Sequence, residues 1–187
     1  MAEPQVKGVV FRAFMRFLRE GHGETTTERV LSLLPTDFAE KLRSDTLFTG
    51  NWYPLAWYRQ LHAAAQQATG QGVELARQKG LTGVTQDLSG IYKIFLRIVS
   101  PEFVMGRAAQ LFNLYYDTGT MEIVESRRGA ARARWRGCAG FDRNVWADVL
   151  GGCEAGLAAA GATRLSLRLV SGGRDGDEEM DAEARWE

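Results

Sequence analysis

The chain has 187 residues, 45% hydrophobic and 25% charged, and its 23 basic side chains balance 23 acidic ones. That length suits a single domain with a core stable without metal or disulfide, and the balance of charge gives no general attraction to nucleic acid or anionic lipid. Two cysteines, Cys138 and Cys153, are too few for a disulfide framework or a thiolate-only zinc site, and neither a secretion-signal order nor an apolar run of membrane-spanning length is present, so a cytoplasmic, non-inserted domain is expected.

From Val6 to Glu20, the residues Val9, Val10, Phe14, Phe17 and Leu18 share one face while Arg12, Arg16 and Arg19 lie elsewhere, which predicts an amphipathic helix. Gly21-His22-Gly23 is expected to stop it, and Thr25 to Glu28 has capping-box spacing for a second helix through Leu33. His22 then sits in a turn, where solvation outweighs metal ligation. Pro35 ends that helix and Asp37 to Glu40 starts a short one.

The aromatic cluster from Asn51 to Tyr58 follows, with Pro54 suited to the first turn of a helix reaching about Thr69. Its rings read first as packing, and alternatively as the wall of a pocket for a flat or greasy molecule. His62 reads as a packed or hydrogen-bonded helix residue. A short helix is expected to end at Lys79-Gly80, and a longer one to run from Val84 to Val99 with Leu88, Ile91, Phe95, Ile98 and Val99 inward. Ser100-Pro101 opens the next helix, where Phe103, Val104, Ala108, Leu111, Phe112 and Tyr115 are expected to form a broad inward face.

After Gly119 the hydrophobic period changes to two. Thr120–Val124 and the Ala131, Ala133, Trp135 alternation read as a hairpin turning at Glu125–Gly129. Asp142 is placed to cap a helix with Val145, Trp146, Val149, Leu150, Cys153 and Leu157 inward. Leu165, Leu167 and Leu169, then Ala182, Ala184 and Trp186, give two more strands. Arg132, Arg134, Arg136, Arg164 and Arg168 could hold phosphates, but Asp181, Glu183 and Glu187 match them in register, which favours a charge-laced outer face over an anion site or nucleic-acid binding. No nucleophile elbow, phosphate loop or metal-binding histidine pair appears, and no acid–base dyad can be named, so no enzyme is expected. Cys153 reads as buried on its helix, and Cys138 as a weak redox or metal candidate.

This order of helices followed by two strands, a helix and two strands, with the opening Val6-Lys7-Gly8-Val9-Val10-Phe11 and Gly21-His22-Gly23-Glu24, resembles the haem-nitric-oxide-binding (H-NOX) domains, within a superfamily that includes vinyl-reductase-type domains and TRAPP vesicle-tethering subunits. Asn51-Trp52-Tyr53-Pro54-Leu55, Ser100-Pro101 and Ala184-Arg185-Trp186 are also similar to signatures of an uncharacterised myxobacterial family. The H-NOX likeness implies a proximal histidine about ten residues after the helix proline, but Ala109-Gln110-Leu111-Phe112-Asn113 contains none. It also implies a tyrosine-x-serine-x-arginine clamp near Trp135-Arg136-Gly137-Cys138-Ala139, where all three clamp residues are replaced. Without the iron bond and the charged anchor, haem is disfavoured; zinc is doubtful for want of cysteines.

The expectation is therefore one α+β domain over 1–187, with a helical bundle (1–116) packed on a four-stranded antiparallel sheet with one inserted helix (117–187). The leading functional reading is a non-catalytic sensory or regulatory module, independent of haem or any other cofactor, that takes a small apolar ligand between Trp52, Tyr58, Phe112, Tyr115 and Trp135. The alternative is a TRAPP-like interaction module with a filled interior, docking a protein partner or a second copy of itself.

Overall fold

A computed structural model describes residues 3–87 and 100–187. The helical half contains β1 (Gln5–Lys7), α1 (Val9–Ser32), α2 (Thr36–Arg43), β2 (Trp52–Pro54), α3 (Leu55–Thr69), α4 (Glu74–Asp87) and α5 (Pro101–Tyr115). The second half contains β3 (Thr120–Arg127), β4 (Ala130–Arg136), α6 (Arg143–Ala159), β5 (Ser166–Gly172) and β6 (Met180–Arg185). The expected α+β architecture is present, with an antiparallel sheet in the order β3-β4-β6-β5.

Alternation along the strands decides which sheet face is covered. Ala131, Ala133 and Trp135 of β4 and Ala182 and Ala184 of β6 are buried toward the helices. The opposite face carries the arginine row, and the cross-strand pairing is explicit: Arg134 Nε lies 2.8 Å and Arg132 Nη2 2.6 Å from Asp181, while Arg168 and Arg185 both reach Glu183. α6 begins where Asp142 accepts from the Asn144 and Val145 amides, at 3.1 and 3.0 Å. One core cluster runs continuously from α1 and α3 through Phe112, Tyr116, Phe141 and Trp146 to Trp135 on the sheet.

The expected stop at Gly21–Gly23 is present at Gly23, whose backbone (φ 79°, ψ 168°) is not helical, so α1 is two helical stretches joined across a kink, the second running on to Ser32. Thr27 Oγ1 donates to the Gly23 carbonyl at 2.9 Å in the first turn of that second stretch. Several local expectations are corrected. The first helix begins at Val9 rather than Val6, because Val6 belongs to β1, which pairs with β2 in a small sheet that the sequence reading missed. Gly80 does not end a helix but lies inside α4; of the expected Val84–Val99 helix, residues 88–99 lie outside the described residues. The hairpin turn narrows to Arg128-Gly129, since β3 extends to Arg127.

On α5 the sheet covers a narrower face than expected. Val104, Met105 and Phe112 are buried, but Phe103 is 53% and Leu111 46% exposed, and Leu114 follows them on the open side at 62%. The β1 strand is tied to the exit from α5: Val6 bridges Tyr116, and Gln5 donates its amide to Asp117 Oδ1 at 2.6 Å.

Candidate functional site

A set of buried polar groups converges from four elements. Tyr58 and His62 lie one turn apart on the inner side of α3, Lys79 projects from α4, Asp148 from α6, and Tyr116 follows the end of α5. All five are buried. Asp148 lies three residues after Val145 and so shares its inward face, which carries the carboxylate into the core with the apolar stripe. Lys79 likewise falls four residues after Leu75 on the buried side of α4.

Tyr58 donates to Asp148 Oδ2 at 2.9 Å and accepts a short hydrogen bond from Lys79 Nζ. Lys79 Nζ is also 3.1 Å from Asp148 Oδ1, but that oxygen makes no hydrogen bond, so their attraction there is one of charge alone. Tyr116 reaches the same carboxylate at 3.5 Å. Burial first, and then the Asp148 charge, raises the Tyr58 and Tyr116 hydroxyls well above the usual tyrosine range. Both are therefore neutral donors at ordinary pH.

His62 stands edge-on to Phe14 and Tyr58, at ring distances of 4.7 and 4.6 Å. Neither ring nitrogen has a hydrogen-bond partner among the described residues. Burial and, second, the Lys79 charge hold its pKa well below the usual histidine range, so the ring is neutral.

Two glycines bring the helices carrying this cluster to backbone contact. A Cβ on Gly80 would stand 2.0 Å from the Asp148 carbonyl oxygen, and one on Gly151 2.1 Å from that of Arg77. α4 and α6 therefore leave no layer of side chains between them at this crossing. Beside the crossing, the Phe112, Tyr116, Phe141 and Trp146 rings follow one another at 4.6 to 5.1 Å.

The residues proposed from sequence as a pocket wall are dispersed. Tyr58 is in the polar cluster and Phe112 is stacked on Tyr116, while Tyr115 is half-buried beside the core. Trp52 is 37% exposed, with Lys7 Nζ 4.1 Å from its ring centre. Trp135 does line an apolar cavity, with Met105, Met121 and Leu157, but its volume is about 10 Å³. A groove of about 150 Å³ lies on the outer sheet face among Glu125, Arg127, Arg132 and Arg168. Among the described residues, no group of three or more histidines, cysteines or carboxylates is placed to hold a metal ion. Cys138 is buried, its thiol raised to about 12 by burial and by the Glu178 charge, which removes the reactive thiolate that a redox role would need.

Comparison of the fold gives a consistent result. Over 97% of this chain and 96% of theirs, the structure is similar to the Fe(II) unliganded H-NOX protein from K. algicida, with a TM-score of 0.72 at 10% identity. It is also similar to an oxygen-binding H-NOX domain related to soluble guanylate cyclases, solved as its oxygen complex (TM-score 0.66, 15% identity, 97% and 95% of the two chains), and to a point mutant of the T. tengcongensis H-NOX (TM-score 0.64, 15% identity, 97% of both). No family model matches the chain, and no curated protein matches it in sequence. The chain has the H-NOX fold. At these identities the likeness defines architecture alone.

Proposed function

We propose that this protein is a haem-independent, non-catalytic regulatory module built on the H-NOX fold, with its interior filled by its own side chains and its state read out through contacts with a protein partner or a second copy. The observation that carries the reading is how little space the described residues leave beside Trp135: the apolar cavity there is about 10 Å³, whereas cofactor and ligand pockets are roughly 300–1,000 Å³. The available ligands agree. The chain has only two histidines, and His62 is clasped between Phe14 and Tyr58 beside the Lys79 ammonium, which opposes a second positive centre. His22 is half-buried at the α1 kink against Phe17. The residues present therefore do not fit an iron porphyrin. They do not fit a catalyst either, because the Tyr58–Lys79–Asp148 cluster, though it contains an acid, a base and a cation, has no exposed side from which a substrate could approach it.

The visible spectrum of protein expressed with ample haem tests this directly. A flat visible region is expected, and a strong Soret band with one iron per chain would overturn the reading. A second reading, a sensor for a small apolar ligand, is favoured by one feature: Trp135, in the wall of the small cavity, has a buried indole N–H with no acceptor among the described residues. Native mass spectrometry of freshly purified protein decides between the two. Bare polypeptide supports the filled module, and a co-purifying small molecule supports the sensor. The finer likeness to the myxobacterial family is kept as part of this proposal, as is a cytoplasmic location, with which the free thiols of Cys138 and Cys153 agree.

A further inference from the structure

Over residues 74–83, the helix that closes the buried cluster buries little apolar material. The buried positions there are Leu75, Ala76, Lys79, Gly80 and Gly83, so the apolar side-chain anchors in that stretch are one leucine and one alanine. α1, by contrast, buries Phe11, Phe14, Phe17 and Leu18 among others. Besides its close backbone packing on α6 at Gly80 and Gly151, what holds this stretch of α4 is polar: Lys79 on Asp148 and Tyr58, and Arg77 on Glu154 at 3.0 Å and on the Leu167 carbonyl at 3.2 Å. Elements with few buried apolar contacts open locally at lower cost than the rest of a protein.

The latch is also self-opposing. Lys79 and Asp148 give up hydration to meet in the core, and they recover it when they part, so a pair that is costly to break by mutation is cheaper to open by movement. The two glycines inside α4 add to the backbone freedom regained on opening.

We propose that α4 is a releasable strap, latched to α6 by the Lys79–Asp148 pair, and that its opening, which bares Tyr58, His62 and Asp148, is the switching motion of this module. The proposal rests on the haem-independent reading for its meaning as a switch that needs no cofactor, although its test is separate. Native-state hydrogen exchange at increasing urea, followed by mass spectrometry, measures it. In the unmodified protein, amides of residues 75–83 are expected to exchange at least about 100-fold faster than those of α1 and α3, through an opening with a shallower urea dependence. Asp148→Asn is expected to speed α4 exchange a further tenfold or more, roughly, and leave α1 unchanged, while the apolar pair Lys79→Met with Asp148→Leu slows it by about tenfold.

The strap is refuted if residues 75–83 are protected equally with α1 and α3, or if the apolar pair exchanges as fast as the unmodified protein. Should Asp148→Asn fail to fold, the unmodified protein and the apolar pair still decide. A Soret band alongside early α4 exchange would sink the haem-free reading and leave the strap standing. A flat spectrum with uniform protection would do the reverse.

Discussion

Asp148 carries more of the interior than any other polar residue, because Lys79, Tyr58 and Tyr116 all orient toward its carboxylate. Replacing it with alanine leaves a buried ammonium without its counter-charge and two hydroxyls without their acceptor, and breaking a buried pair in this way typically costs about 3–5 kcal/mol. Equilibrium urea unfolding should show that loss. Tyr58→Phe removes one hydroxyl and is expected to cost roughly 1–3 kcal/mol by the same measurement, since it leaves Lys79 and Asp148 still facing each other. Gly80→Ala tests a different force, because its new methyl would overlap the Asp148 carbonyl and α4 would have to move away from α6. A loss of about 1–3 kcal/mol or more in urea is expected, although alanine is the better helix former.

These residues also show where the sequence was silent. Tyr58 and Asp148 are 90 positions apart, and nothing local marks them as partners. The available signal was an acid set into an apolar stripe, Asp148 between Val145 and Val149-Leu150, together with a lysine on the Leu75 side of α4. Each is a charge on a face that burial would punish unless a partner came to meet it.

At the scale of elements, the second half was more legible than the first. Alternation in Ala131–Trp135 and Ala182–Trp186 fixed which faces turn inward, and Asp142 announced α6 by a capping interaction confined to four residues. Asp142→Ala is expected to cost about 0.5–2 kcal/mol in thermal or urea unfolding, with the loss extended by the Arg59 contact at 3.3 Å. In the first half Gly80 misled, because a glycine that ends a helix and one that allows close approach are the same letter. Gly23 does interrupt its helix, whereas Gly80 allows the approach to α6. The three-residue strands β1 and β2 were invisible for another reason: so short a segment has no period to detect, and its pairing partner is 47 residues away. On α5, Phe103 and Leu111 have helical spacing with the buried residues but fall outside the covered face, which spacing alone does not mark.

At the scale of the whole molecule, the buried titratable groups set a stability window. His62 has a folded pKa well below its ordinary value of 6.5, so under acid conditions the unfolded chain takes up a proton that the folded one refuses, and stability falls as pH drops below about 6.5. Tyr58 and Tyr116 have folded pKa values well above 10.0, so the unfolded chain releases protons first and stability falls as pH rises past about 10. Asp181 and Glu183, lowered chiefly by hydrogen bonds from Arg134 and Arg168, add a further loss below about pH 4. Thermal midpoints measured from pH 3 to 11 should form a plateau between the histidine and tyrosine limits, and His62→Phe should flatten its acid shoulder.

The tie between Gln5-Val6 and Tyr116-Asp117 gives the first few residues a role out of proportion to their number. What looks like a spare end is a clasp between β1 and the exit from α5, beside the Tyr116 hydroxyl that reaches Asp148. Cloning boundaries that shave it off should lower the melting temperature of the whole domain in a single transition, because the core is continuous, whereas a purification handle attached at the far C-terminal strand leaves that clasp alone.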